Sequence, residues 1–142
     1  MTTTYQLRNK IRNLKEQITE CEDEIAGCRH KMELSENALF QVQNKRNEFE
    51  GFFGERRNKI RRISESFPNM SFLTGFQEEL AGFMEGAEYQ RAVDGYAQAE
   101  WSLRNKRDML ACHEADLRYE ISRKEAELES LQRKLRYMEQ EA

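Results

Sequence analysis

The sequence predicts an all-α protein: a long antiparallel two-helix coiled-coil hairpin with an aromatic-rich bend near residues 67–75. Three observations lead there. Charged residues make up 35% and apolar residues 38% of the 142, with one Pro and seven Gly, a composition suited to long helices more than to a compact globule. Apolar residues then recur at Leu7, Ile11, Leu14, Ile18, Cys21, Ile25, Cys28 and Met32, in alternating steps of four and three, which is the seam of a coiled coil. The sole proline, Pro68, lies almost at the midpoint. Proline lacks a backbone donor and drives the preceding residue out of the helical region, so the chain must turn there. A single domain over residues 1–142 follows, with helix one at about 3–66, the bend at 67–74 and helix two at about 75–139.

Helix one opens with Thr3-Thr-Tyr-Gln6, the spacing of a capping box. Its heptad frame continues through Ser35, Leu39, Val42, Arg46, Phe49, Phe53, Arg56, Ile60, Ile63 and Phe67. At 1.5 Å per residue the helix is expected to span roughly 90 Å. The polar seam members Ser35, Arg46 and Arg56 cost stability and set register. Gly51 and Gly54 each weaken the helix by about 1 kcal/mol relative to Ala, so the sequence leaves open a kink or short break near Gly51. Helix two is expected to start at a second capping box, Thr74-Gly-Phe-Gln77. Phe76, Leu80, Phe83 and Ala87 form one stripe, and Tyr89, Val93, Tyr96 and Leu103 another in a shifted frame. A phase change between Phe83 and Tyr89 is a stutter. The far half carries Leu110, Leu117, Ile121, Leu128, Leu131, Leu135 and Met138, with Lys124 as the polar exception. Folding near residue 70 places the basic run Arg56 to Arg62 opposite Glu78, Glu79, Glu85 and Glu88, Arg46 near Asp94 and Gly95, and Trp101 beside Phe40.

Several function classes fall away. The net charge of −3 and the carboxylates opposite the one basic run argue against nucleic acid. No apolar run approaches the ~18 residues of a membrane span. Met1-Thr-Thr-Thr-Tyr-Gln has neither a basic nor an apolar region of a Sec signal peptide, so a cytoplasmic protein is expected. Cys21, Cys28 and Cys112 are too few for a disulfide framework, and reduced thiols are expected. Cys28 and Cys112 fall nearly opposite each other with His30 and His113 nearby, but a zinc site needs four converging ligands. No metal, no cofactor and no catalytic residue is predicted, because no nucleophile–base constellation or phosphate loop can be named.

The bend carries more apolar material than one seam can hide. Seven of the eight phenylalanines lie between Phe49 and Phe83, and Phe49, Phe52 and Phe53 cannot share a seam because neighbours point about 100° apart. Met70, Leu73, Met84 and Tyr89 add to the excess. Exposed aromatic surface of this kind marks interaction sites. The expected partner-binding residues are Phe49, Phe52, Phe53, Phe72, Phe76, Phe83 and Tyr89 as anchors, with Gly82, Gly86 and Gly95 allowing a partner helix close approach.

The pattern resembles the small helical-hairpin, WXG100-like partner proteins of LXG-domain toxins of Gram-positive type VII secretion. The likeness rests on the heptad-rich first helix with Ala38-Leu39 midway, the central Phe72-Leu73-Thr74-Gly75, the spaced aromatics Phe76, Phe83, Tyr89 and Tyr96, and the heptad-rich tail. The group commonly has Trp-x-Gly at the turn; here Phe72 and Gly75 stand three apart, and the only tryptophan is Trp101. The resemblance implies binding to the helical N-terminal domain of an LXG-type toxin, alone or with a second small helical partner, and export of the complex through a type VII system. It also points to Tyr96–Glu100 and Tyr137–Glu141 as tyrosine–acid pairs with export-signal spacing. Two other readings stay open. One is a coiled-coil stalk component of a flagellar or type III export ATPase, which predicts contacts at residues 1–20 and 125–142. The other is a self-associating coiled-coil adaptor, a homodimer when alone.

Overall fold

The computed structural model describes residues 2–67 and 71–141. The fold is all-α: among the described residues the elements are α1 (Thr4–Ser66), α2 (Ser71–Glu85) and α3 (Ala87–Glu141). Pro68, Asn69 and Met70, the centre of the expected bend, lie outside the described residues.

Helix α1 starts where the capping box placed it. The Thr3 backbone N–H donates to Gln6 Oε1 at 3.0 Å and the Gln6 N–H donates to Thr3 Oγ1 at 3.2 Å, so two otherwise orphaned donors are satisfied reciprocally. The helix runs unbroken through Gly51 and Gly54, which answers the question the sequence left open there. Both glycines face open space, with nothing within 4 Å of an added Cβ, so the propensity penalty is borne without a break. Near its end Ser66 Oγ donates back to the Arg62 carbonyl at 3.0 Å, and α1 stops two residues short of Pro68.

The second half departs from the expected single helix over 75–139. It starts earlier, at Ser71, so Thr74 and Gly75 lie inside a helix and the expected capping box and turn at Phe72-Leu73-Thr74-Gly75 do not form. Gly86 then separates α2 from α3 at the position of the phase change. The Gly86 N–H donates to the Phe83 carbonyl, a tightened three-residue step at 3.0 Å. The Gln90 side-chain amide donates to the Met84 carbonyl at 3.2 Å and satisfies one acceptor at the end of α2. A Cβ at Gly86 would stand 3.1 Å from the Gly82 and Phe83 carbonyl oxygens, which explains glycine at this step.

The chain divides into two compact units, one formed by Met1–Leu34 with Lys106–Ala142 and the other by Ser35–Asn105. In the first, α1 and α3 run antiparallel. Arg8 donates to Glu139 at 2.8 Å and Arg29 to Glu114 at 2.7 Å. Leu7, Ile11, Leu14, Ile18, Cys21, Ile25 and Cys28 are all buried, as the heptad seam demanded. Cys21, Ile25 and Cys28 pack with Leu117, and Leu110 and Ile121 close the cluster. Burial pushes the Cys21 thiol pKa up, with the charge of Glu120 adding to it. Cys112 is exposed and all three cysteines are free thiols. In the second unit the same antiparallel sense holds, with Ser35 and Leu39 buried on α1 and Tyr89 and Glu100 buried on α3. Half-buried Leu73, Gln77, Leu80 and Met84 mark the inward stripe of α2.

Candidate interaction surface

The second unit is organised around Tyr89. It is buried because it falls on the inward stripe of α3, and three rings surround it. Phe49 stacks on it with centroids 5.3 Å apart and planes 24° apart, Phe53 meets it edge-on at 5.5 Å, and Phe83 lies at 6.1 Å. Phe49 also meets Phe53 at 5.2 Å and Tyr96 at 5.8 Å, and Phe53 meets Phe83 at 5.1 Å. Offset and edge-to-face pairs at these distances are the arrangements the ring quadrupole favours.

The predicted anchors therefore separate into two sets. Phe49, Phe53 and Tyr89 form an internal core. Phe52, Phe72 and Phe76 point outward, 54%, 59% and 54% exposed, and Phe83 belongs to both sets at 41%. Phe52 sits edge-on to Phe53 at 5.1 Å with the Arg56 guanidinium 5.5 Å above its ring, and Phe72 meets Phe76 at 6.5 Å. The contacts from Phe52 to Phe53 to Phe83 join the outward flanks of α1 and α2. On α2 the outward rings stand at steps of four and seven, one stripe of the helix. Gly82 and Gly95 line no close contact within the chain, since an added Cβ at either would meet nothing within 4 Å.

Polar seam positions behave differently from the sequence expectation. Arg46 finds Glu100, not Asp94 or Gly95: its Nη1 donates to both carboxylate oxygens at 3.3 Å, and its Nε donates to Glu50 at 3.2 Å. Hydrogen bonds to Glu50 and then Glu100 hold the guanidinium above the usual arginine range. Glu100 is 9% exposed, with Arg104 at 3.8 Å as its second cation. The signal for this pair was in the sequence. Tyr89, Val93, Tyr96, Glu100, Leu103, Arg107, Leu110, Glu114 and Leu117 form one unbroken heptad frame in which Glu100 is the first of three polar members, with Arg107 and Glu114, that face the seam. Tyr96 and Glu100 thus belong to the inward face, whereas Tyr137 and Glu141 are exposed on the last turn of α3.

No protein-family model, curated protein or solved structure matches this chain.

The expected charge pairing at the bend is not made. Among the described residues none of Arg56, Arg57, Lys59, Arg61 and Arg62 comes within 4.0 Å of a carboxylate, and Glu78, Glu79, Glu85 and Glu88 likewise meet no cation. These are solvated side chains for which direct pairing gains little. Phe40 and Trp101 are both exposed and share no ring contact among the described residues. Among the described residues no group of three or more His, Cys, Asp or Glu could hold a metal, and no helix is long and apolar enough to cross a membrane. What the second unit offers chemically is an aromatic surface on a firm aromatic base, flanked by unpaired charge.

Proposed function

We propose that this chain is a non-catalytic partner protein that holds another helical chain on the outward phenylalanines of the second unit. The observation that carries the reading is the split of the aromatic cluster: Phe49, Phe53 and Tyr89 form a packed base, Phe52 and Phe83 stand against it, and Phe72 and Phe76 pair with each other along α2, with all four outer rings facing water. Phe52 and Phe83, fixed from behind by the base, lose little side-chain entropy when a partner covers them, which is the property of interface hot spots. On this reading, and with the sequence resemblance as its support, the partner is the helical N-terminal domain of an LXG-type toxin and the role is to promote its export by a type VII system. Of the two tyrosine–acid pairs, the reading gives the export role to Tyr137 and Glu141, because Tyr96 and Glu100 are engaged in the seam.

The test is co-expression with the N-terminal domain of an LXG-type toxin from the same genome, followed by measurement of complex mass. Phe72→Asp with Phe76→Asp removes two outward rings that support no core contact beyond each other. The expected result is a helical, folded chain that no longer co-elutes with the toxin domain. Undiminished binding by that double variant refutes the proposed surface.

A further inference from the structure

Helix α2 is held more lightly than the helices on either side of it. None of its 15 residues is buried, whereas the seam of α1 in the first unit is buried from Leu7 to Cys28. Its inward stripe is only half-buried, and one member of that stripe, Gln77, is polar. Among the described residues no side-chain hydrogen bond or ion pair joins α2 to α1. The ring contact between them, Phe53 with Phe83 at 5.1 Å, lies in the last turn of α2, as does the Met84 carbonyl that accepts from Gln90. Ahead of that turn an open cleft of about 320 Å³, lined by Arg57, Thr74, Gln77, Glu78 and Ala81, runs between α1 and α2. Gly75 and Gly82 lie inside the helix, and glycine is the poorest helix former after proline. A helix this short is marginal without tertiary packing. In the same unit α1 and α3 are joined by the rings of Phe49, Tyr89 and Tyr96 and by the Arg46–Glu100 pair.

We infer that α2 is a strap, which leaves α1 and docks again while α1 and α3 of the second unit stay packed, and that a bound partner closes it. Segments with few buried apolar contacts are the ones that open separately from the rest of a fold. The outward rings are divided across this joint, with Phe52 on α1 and Phe72, Phe76 and Phe83 on α2. The whole surface therefore exists only while α2 is docked. A partner that touches both halves recognises the docked state alone and shifts the population toward it. The strap is independent of the toxin reading; its closure by a bound chain rests on that reading.

The experiment is hydrogen exchange of the full chain with mass readout, free and with the N-terminal domain of an LXG-type toxin. In the free chain, amides of residues 75–84 should exchange at least about tenfold faster than those of residues 45–55 and 91–104, after correction for intrinsic rates. Gly75→Ala adds a Cβ that meets nothing within 4 Å and should slow exchange of 75–84 about fivefold, with the other two segments unchanged. Exchange of 75–84 no faster than theirs overturns the strap, and so does a Gly75→Ala effect that is absent or shared equally by all three. The bound toxin domain should slow 75–84 at least about tenfold, and a domain that binds without slowing them overturns the closure. A toxin domain that does not bind ends the partner reading and the closure with it, while fast exchange confined to 75–84 still supports the strap.

Discussion

Removing Tyr89 tests whether the aromatic cluster is the structural base of the second unit. Tyr89 is 8% exposed, and its ring is held by Phe49, Phe53 and Phe83 from two other helices. Truncating a buried aromatic to Ala costs about 3–5 kcal/mol in transfer and cavity energy. The site opens toward solvent at Phe83, so the void can partly collapse or fill with water, and the lower end, about 3 kcal/mol, is expected. Replacing Tyr89 with Leu keeps most of the apolar area and removes the ring geometry. A cycle of Tyr89→Leu with Phe49→Leu should then return a coupling of about 1 kcal/mol, the worth of one well-stacked pair. Urea unfolding followed by circular dichroism gives the cycle. Hydrogen exchange shows whether the loss falls on amides of residues 35–105, as it should for a local base. A coupling below about 0.3 kcal/mol, or a Tyr89→Ala loss under about 1 kcal/mol, would show that the rings merely touch and would remove the support from the outward surface.

The other expectations are more local. Gly51→Ala and Gly54→Ala should each raise stability by about 0.5–1 kcal/mol, because both sit inside a continuous helix with open space where a Cβ would go; thermal melts of the single and double variants check it, and a loss would mean that α1 needs to flex there. Exposed Cys112 should react with an alkylating reagent well ahead of Cys21, whose thiol is buried and has a raised pKa; mass mapping that finds Cys21 modified first would refute the buried seam. Lys124 Nζ bridges Glu120 at 3.0 Å, which lowers the glutamate pKa and raises that of the lysine. The lowered Glu120 stabilises above the ordinary carboxylate range, and that contribution fades as pH falls through its folded value. The raised Lys124 stabilises below the ordinary lysine range and loses its contribution as pH rises through its folded value. Melting temperatures of Lys124→Met across pH should therefore show a shallower acid decline and no alkaline loss from this pair, and identical profiles for the two proteins would exclude it.

The helical class, the seam and the start of α1 rest on contacts between residues close in the chain and are read from it directly. Leu7 to Cys28 repeat in steps that only a helix can bring to one face, so their burial followed from periodicity alone, and the Thr3–Gln6 cap is a contact between residues three apart. The loss of phase between Phe83 and Tyr89 was legible for the same reason, but it read as a stutter within one helix, and the break at Gly86 was not foreseen. What the sequence could not decide depended on which residues meet across helices. Thr74 to Gln77 has the spacing of a cap, but the helix had already begun at Ser71, and a cap signal carries no force inside a formed helix. Seven phenylalanines crowd one region, and their local spacing does not say which face water and which face one another. Packing on α1 made a core of Phe49, Phe53 and Tyr89 and left Phe52, Phe72 and Phe76 outside. The partner of Arg46 was likewise a matter of register, since a shift of a few residues exchanges Asp94 for Glu100. Periodicity fixes a residue's direction around its own axis; only the packed helices fix what stands opposite it.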